Sequence, residues 1–107
     1  MGGSITVDRY EYIKWYVKDF HGEYAPLLFY EVDKDQERYA TRMAEVYDDY
    51  CIKQVIDSGS AFVTEAPVPT VSDINTDSDY FAELISREEF DAVYNSSRYD
   101  GSILFPR

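Results

Sequence analysis

Cysteine and histidine occur once each in this 107-residue chain, Lys and Arg together number ten, and the longest apolar run is Ala25-Pro26-Leu27-Leu28-Phe29-Tyr30. Each scarcity closes off a class of function. A lone Cys51 cannot form an internal disulfide, so stability must come from packing, and a reducing cytoplasm is the expected compartment. Cys51 and His21 alone leave any tetrahedral zinc site dependent on carboxylates, with no spacing signal, so no metal is expected. The five glycines are scattered and none opens a loop that ends in lysine, so no phosphate cradle and no cofactor is expected. A membrane helix needs about 20 apolar residues, far more than any run here, and nothing reads as a signal peptide. Among the basic residues only Arg38 and Arg42 cluster, flanked by Glu37 and Glu45. Direct nucleic-acid binding therefore lacks its positive footprint.

What the chain has in excess is carboxylate and tyrosine. Asp and Glu number 21, the formal charge is -11, and 11 Tyr, 6 Phe and 1 Trp accompany them. So many aromatics argue against an acidic disordered tail, because they supply large apolar surfaces to bury. The length suits one acidic domain over residues 10–97, with a flexible start at 1–9 and a tail at 98–107. The opening Met1-Gly2-Gly3-Ser4-Ile5-Thr6 matches an N-myristoylation pattern and equally suits a plain flexible end. Asn95-Ser96-Ser97 is a formal glycosylation acceptor that matters only in a secreted protein.

Residues 10–17 alternate as a strand does, with Tyr10, Tyr12, Lys14 and Tyr16 on one parity and Glu11, Ile13, Trp15 and Val17 on the other. The second set is the more apolar and is expected to face the core beneath a helix, leaving a partly covered tyrosine-lysine face. Segments 26–33, 38–47 and 50–56 read as further strands. They are divided by polar turns at Asp33-Lys34-Asp35-Gln36 and Asp48-Asp49, with an earlier turn around His21 and Gly22. Asp57-Ser58-Gly59-Ser60 ends the fourth strand, and Phe62-Val63 offers a short edge segment. Pro67 and Pro69 then force an extended crossing. Thr70 caps a short helical turn through Asn75, with Asp73 at its third position. Ser86 with Glu89 forms a capping box before Phe90, Val93 and Tyr94, which share one face of a helix over 87–96. The expected fold is α+β: an antiparallel four- to five-stranded meander sheet with one main C-terminal helix packed on one face. Ile103-Leu104-Phe105 is a candidate final strand, docking in its own chain or in a neighbour's, so a homodimer is a possible assembly.

The stretches Tyr12-Ile13-Lys14, Asp19-Phe20, Leu28-Phe29-Tyr30-Glu31-Val32-Asp33 and Glu37-Arg38-Tyr39 with Arg42 form an ordered series. Glu65-Ala66-Pro67-Val68-Pro69, Asp73-Ile74-Asn75 and Ile85-Ser86-Arg87-Glu88-Glu89-Phe90 continue it. Over residues 12–94 the series resembles a family of small bacterial proteins, the DUF6881 domain of unknown function. The chain departs from the family at Lys18, where histidine often precedes Asp-Phe, and at Tyr94, where tryptophan often ends the last block. Lysine is a poor substitute for a catalytic histidine, so the first departure counts against chemistry. In size and acidity such proteins resemble the immunity proteins that accompany secreted bacterial toxins, which is a likeness of bulk properties alone.

No catalytic set assembles along the chain. Cys51 opens a strand, where a buried, inert thiol is expected. His21 reads as a solvated turn residue. Glu88 and Glu89 suit the positive end of a helix dipole better than acid-base work. Asp73-Ile74-Asn75-Thr76-Asp77-Ser78-Asp79 spaces oxygens as a calcium loop does, but Ser78 and Leu84 stand where glycine and glutamate are required. The leading expectation is a non-catalytic acidic module for a basic protein, of the immunity type, occluding a toxin or nuclease. Its candidate contacts are Tyr16, Asp48, Asp49, Asp73, Asp77, Asp79 and Arg42, the last also suited to pairing with a carboxylate inside the domain. A phage-encoded inhibitor mimicking nucleic acid needs the same surface. A small carboxylate-dependent hydrolase would instead gather two acids of raised pKa in a pocket with Tyr30, Trp15 or Arg42.

Overall fold

Chain reversal between the second and third strands rests on a carboxylate. Asp33 Oδ1 accepts from the Asp35 backbone N–H at 3.0 Å and starts a 3₁₀ turn over Lys34–Gln36. Glu37 and Arg38 then take left-handed φ values of 54° and 65°, a strained choice for residues other than glycine. Arg9 holds the same carboxylate in a two-point grip, with Nε at 3.0 Å and Nη2 at 2.8 Å. The computed structural model describes residues 9–19, 24–56, 59 and 61–106. The Gly2 pattern, the His21-Gly22 turn and most of the Asp57–Ser60 break lie outside the described residues.

Five antiparallel strands form one open sheet: β1 (Tyr10–Val17), β2 (Leu27–Asp33), β3 (Tyr39–Val46), β4 (Ile52–Gln54) and β5 (Tyr80–Ile85), in the order β4-β3-β2-β1-β5. Two helices accompany them, α1 (Val71–Ile74) and α2 (Arg87–Tyr94). Both cap signals act as the sequence implies: Thr70 Oγ1 accepts from Asp73 N at 3.2 Å and Ser86 Oγ from Glu89 N at 3.1 Å. The α+β class and the C-terminal helix against the sheet are as expected.

The topology explains how each face is covered. The first four strands form a meander, but β5 pairs with β1 at the opposite edge from β4. The chain must therefore cross beneath the sheet between β4 and β5, and it must come back over the other face. The outward crossing is the proline-rich segment and α1. They bury Val68 and Ile74 against Ile13, Tyr30, Val32, Ala40 and Ala82. The return is α2, which buries Phe90 and Val93 against Tyr12, Tyr16, Leu27, Phe29, Ala44 and Val46. Central strand β2 is consequently buried on both sides, with only Leu28 partly exposed.

Several expectations are corrected by this arrangement. β5 was not foreseen, because Phe81, Ala82, Glu83 and Leu84 do not alternate cleanly between apolar and polar. α2 does not cover the Ile13-Trp15-Val17 side; it lies on the tyrosine side, with the Tyr12 and Phe90 ring centroids 5.3 Å apart. The reason is steric order. The crossing segment already occupies the other face, and tyrosine buries its ring while its hydroxyl finds a polar partner. The 103–105 segment forms no strand: Ile103 and Phe105 pack on the same face as α2, and Leu104 is exposed. Cys51 is exposed, paired only in an isolated bridge with Arg98. Its thiol is pushed up by Asp49, which disfavours the thiolate by proximity where burial had been the expected cause.

The β5 edge is closed by a side chain. Asn75, just after α1, donates from Nδ2 to Ala82 O at 2.9 Å and accepts at Oδ1 from Ala82 N at 2.7 Å. One amide thus imitates a neighbouring strand at the middle of an edge that would otherwise present its ladder groups. Tyr80 N is taken by Asp77 O at 3.1 Å.

Candidate functional site

A register break in β3 decides where its arginines go. Ala40 lies opposite Val32 and Arg42 opposite Glu31, so Thr41 is the extra residue of a bulge. Without it Arg38 and Arg42 would share a face, as the sequence suggests. With it they part. Arg38 turns to the proline-rich segment, where Nη2 meets Glu11 at 2.8 Å and Nε donates to Val68 O at 2.8 Å. Arg42 turns to the α2 side and meets Glu31 and Asp91.

The Arg42 cluster is the most concentrated polar group in the described molecule. Arg42 grips Glu31 with Nε at 3.0 Å and Nη2 at 2.6 Å, and Nη2 also reaches Asp91 of α2 at 2.8 Å. Thr41 Oγ1 donates to Glu31 Oε1 at 2.6 Å, and the Tyr12 hydroxyl donates to Glu31 Oε2 at 2.9 Å. The guanidinium carbon lies 4.9 Å from the Phe90 ring centroid and 5.0 Å from that of Tyr94. A hollow of about 360 Å³ opens over this group, lined by Tyr10, Tyr12, Glu31, Arg42, Arg87, Asp91 and Asn95.

Its electrostatics are those of a closed network. Burial works to raise the Glu31 carboxyl, but hydrogen bonds from Arg42, Thr41 and Tyr12 outweigh it and hold the group below the usual carboxylate range. Both Glu31 oxygens accept two hydrogen bonds, which fills the lone-pair sites a general base would need. Tyr12 is pushed up to about 12, first by burial and then by its bond to Glu31, so it stays protonated at neutral pH. Arg42 is raised by its hydrogen bonds to Glu31 and Asp91, which outweigh burial, and stays charged. The sequence offered Arg42 but missed Glu31, Tyr12 and Asp91. The available signal was Glu31 itself, a charge between Tyr30 and Val32 within a largely apolar strand.

The candidate contact residues fall in three settings. Tyr16 is buried, 8% exposed, beside Phe81, and it is corrected as a surface contact. Arg42 is engaged within the domain. Asp48, Asp49, Asp73, Asp77 and Asp79 are all exposed, and the strand register relates most of them. Val46 pairs with Leu27, Leu27 with Tyr16, and Tyr16 with Phe81. The end of β3, the start of β2, the end of β1 and the start of β5 therefore share one end of the sheet. Asp48 and Asp49 follow β3, Asp19 follows β1, and Asp77 and Asp79 precede β5, where Lys18 N donates to Asp79 O at 2.8 Å. Residues far apart in sequence thus form one acidic rim. Lys18, Lys53 and Arg98 are the exposed cations described near it, Lys53 lining a hollow with Asp48 and Asp49, while Arg9, Lys34, Arg38 and Arg87 sit toward the opposite end.

No group of three or more His, Cys, Asp or Glu among the described residues is arranged to hold a metal. No described helix is long and apolar enough to cross a membrane.

The resemblance blocks now have structural meaning. Glu31 and Arg42 tie the sheet to α2, Arg38 and Val68 fix the proline-rich crossing, Asn75 closes β5, and Ser86 caps α2. These are scaffold roles, which is why the blocks name a fold more readily than an activity. Searches of curated proteins and of solved structures give no match. The family comparison does: over residues 9–99 the chain matches, and belongs to, DUF6881, a domain of unknown function.

Proposed function

We propose that this chain is a non-catalytic protein-binding module for a basic partner, acting as an immunity-type inhibitor that occludes a bacterial toxin or nuclease. The observation that supports this reading is the acidic rim, where the register brings Asp19, Asp48, Asp49, Asp77 and Asp79 to one end of the sheet. Arg9, Arg38 and Arg42 are meanwhile paired with Asp33, Glu11 and Glu31. Carboxylates concentrated at one end raise the rate of encounter with a cationic surface and make binding sensitive to salt.

The hydrolase reading draws on the Arg42 hollow, which does bring two acids to one arginine. Its chemistry is unfavourable. A glycosidase-like or general-base mechanism needs a carboxyl of raised pKa with a free lone pair, and Glu31 has a lowered one with every site occupied. The cluster serves better to clamp α2 on the sheet.

The test is capture of the partner from the source organism, followed by calorimetry at about 50 mM and about 300 mM salt, which spans a Debye length near 8 Å. Affinity should fall by at least ten-fold across that range. The quadruple variant Asp48→Asn/Asp49→Asn/Asp77→Asn/Asp79→Asn should lose most of that salt dependence, since asparagine keeps the turn hydrogen bonds and removes the charge. An affinity indifferent to salt would sink the reading.

A further inference from the structure

The face opposite α2 is only partly covered. The proline-rich segment and α1 shield Ile13, Val32 and Ala40, but they stop short of Trp15, Leu28 and Met43, which remain partly exposed. Two depressions lie there. One, of about 260 Å³, is lined by Trp15, Val17, Tyr24, Leu28, Met43 and Tyr80 together with Asp19 and Glu45. The other, of about 400 Å³, is lined by Trp15, Tyr30, Met43 and the 64–69 segment with Glu65. They share Trp15 and Met43, so they form one bent groove.

Two properties of this groove point to the same occupant. Its floor is aromatic: the Trp15 ring centroid is 5.3 Å from that of Tyr80 and 5.7 Å from that of Tyr30, and the exposed Tyr24 stands at its side. Its rim carries Asp19, Glu45 and Glu65, and no lysine or arginine among the described residues lines either depression, Lys53 standing outside them opposite Glu45 on β4. Lys18 is next in sequence to Asp19 but takes the opposite parity of the strand. Burial, then Glu45 and Tyr80, raises the Tyr30 phenol, so the aromatic wall stays neutral and its faces remain attractive to a cation.

We propose that this groove receives a lysine or arginine side chain, and the extended backbone carrying it, from a basic polypeptide. The apolar stem of the side chain lies on Trp15 and Met43, as such stems do on apolar surface. The cationic head reaches the aromatic faces and the Asp19–Glu45 side. The second depression takes a neighbouring apolar residue of the same segment. Two linked surface hollows with charge on the rim suit an extended peptide. This inference rests on the basic-partner reading and names the part of the molecule that selects within it.

Trp15 is the sole tryptophan, so its emission reports on the groove alone. The probe is an acetylated, amidated hexapeptide of alternating lysine and leucine, compared with the same peptide carrying glutamine for lysine. The lysine peptide should shift Trp15 emission saturably and bind at least ten-fold more tightly than the glutamine peptide. Asp19→Asn/Glu45→Gln should weaken it about ten-fold. Glu88→Gln/Glu89→Gln removes two charges from the helix side and should weaken it less than two-fold. Equal binding of the two peptides overturns the proposal. If calorimetry detects binding that leaves the emission unchanged and both double variants weaken it equally, the groove falls while the acidic-module reading stands. Absence of any binding heat at low salt removes both.

Discussion

The two faces of this sheet are closed by different means, and the difference decides which one is left open. On one side α2 satisfies its own backbone hydrogen bonds and can lie wherever Phe90 and Val93 find apolar neighbours. On the other, an irregular segment must find partners for its backbone polar groups outside itself. It finds them along the start of β3. Val63 N donates to Ala40 O at 2.9 Å and Val68 N to Arg38 O at 2.8 Å. The Arg38 side chain returns a bond to Val68 O at 2.8 Å, and Thr64 Oγ1 accepts from Ala40 N at 3.1 Å. Those donors and acceptors end at the bulge, so coverage ends there too and Trp15 and Met43 remain at the surface. The helix side is thus closed by apolar packing, and the other side is left partly open.

The sharpest way to break the contrast is Phe90→Ala. Phe90 is fully buried on the inner face of α2, and truncating a core phenylalanine costs about 3–5 kcal/mol. Urea unfolding should show most of the domain's stability lost, while a substitution at the open side, Leu28→Ala, should cost clearly less because that residue is only partly covered. Similar losses at the two positions would mean that the faces are equally load-carrying.

Arg42→Met tests the polar clamp. It leaves Glu31 without its cation and Asp91 with only the longer contact to Arg87 at 3.7 Å, and breaking a buried pair costs roughly 3–5 kcal/mol. Partial exposure of Arg42 puts the expected loss at about 3 kcal/mol. Glu31 has a depressed folded pKa, so its stabilisation is present above the unfolded value of about 4.3 and is lost as pH falls through the lower folded value. The stability gap between wild type and Arg42→Met, followed by urea melts from neutral to acid pH, should therefore narrow on acidification. A gap independent of pH would show that Arg42 acts through packing on Phe90 and Tyr94 alone.

The smallest effect is expected at the sheet edge. Asn75→Ala removes both hydrogen bonds to Ala82, worth about 1–2 kcal/mol together, and it exposes ladder groups beside Leu84, which is 60% exposed. With Ile103 and Phe105 packed on their own sheet, a homodimer is proposed only through this edge. Light scattering should detect concentration-dependent association of the variant beyond that of wild type, and no added association would leave the edge with no part in assembly.

The elements with strong local chemistry were legible in the sequence. Thr70 and Ser86 cap the helices they were read to cap, because a cap depends on residues within one turn. β1, β2 and β3 follow from alternation and β-forming composition. β5 was not legible, since its residues read as neither alternating nor continuous until an edge of β1 is available to pair with. The Arg42 cluster was half legible: Arg42 stands out, but its partners lie 11 and 49 residues away in sequence.

Charge, the aromatic surplus and the cap positions were determined by the sequence alone, because each depends on composition or on neighbours within a few residues. Which face of β1 receives the helix, where the bulge sends Arg42, which acids meet at one end and where the groove remains open were decided by tertiary structure. Those outcomes depend on strand order, and strand order is set by contacts between segments that share no local signal. Tyr12 illustrates the division. Its alternation placed it on a strand, but only the arrival of Glu31 and Phe90 buried that side of the strand beneath the helix.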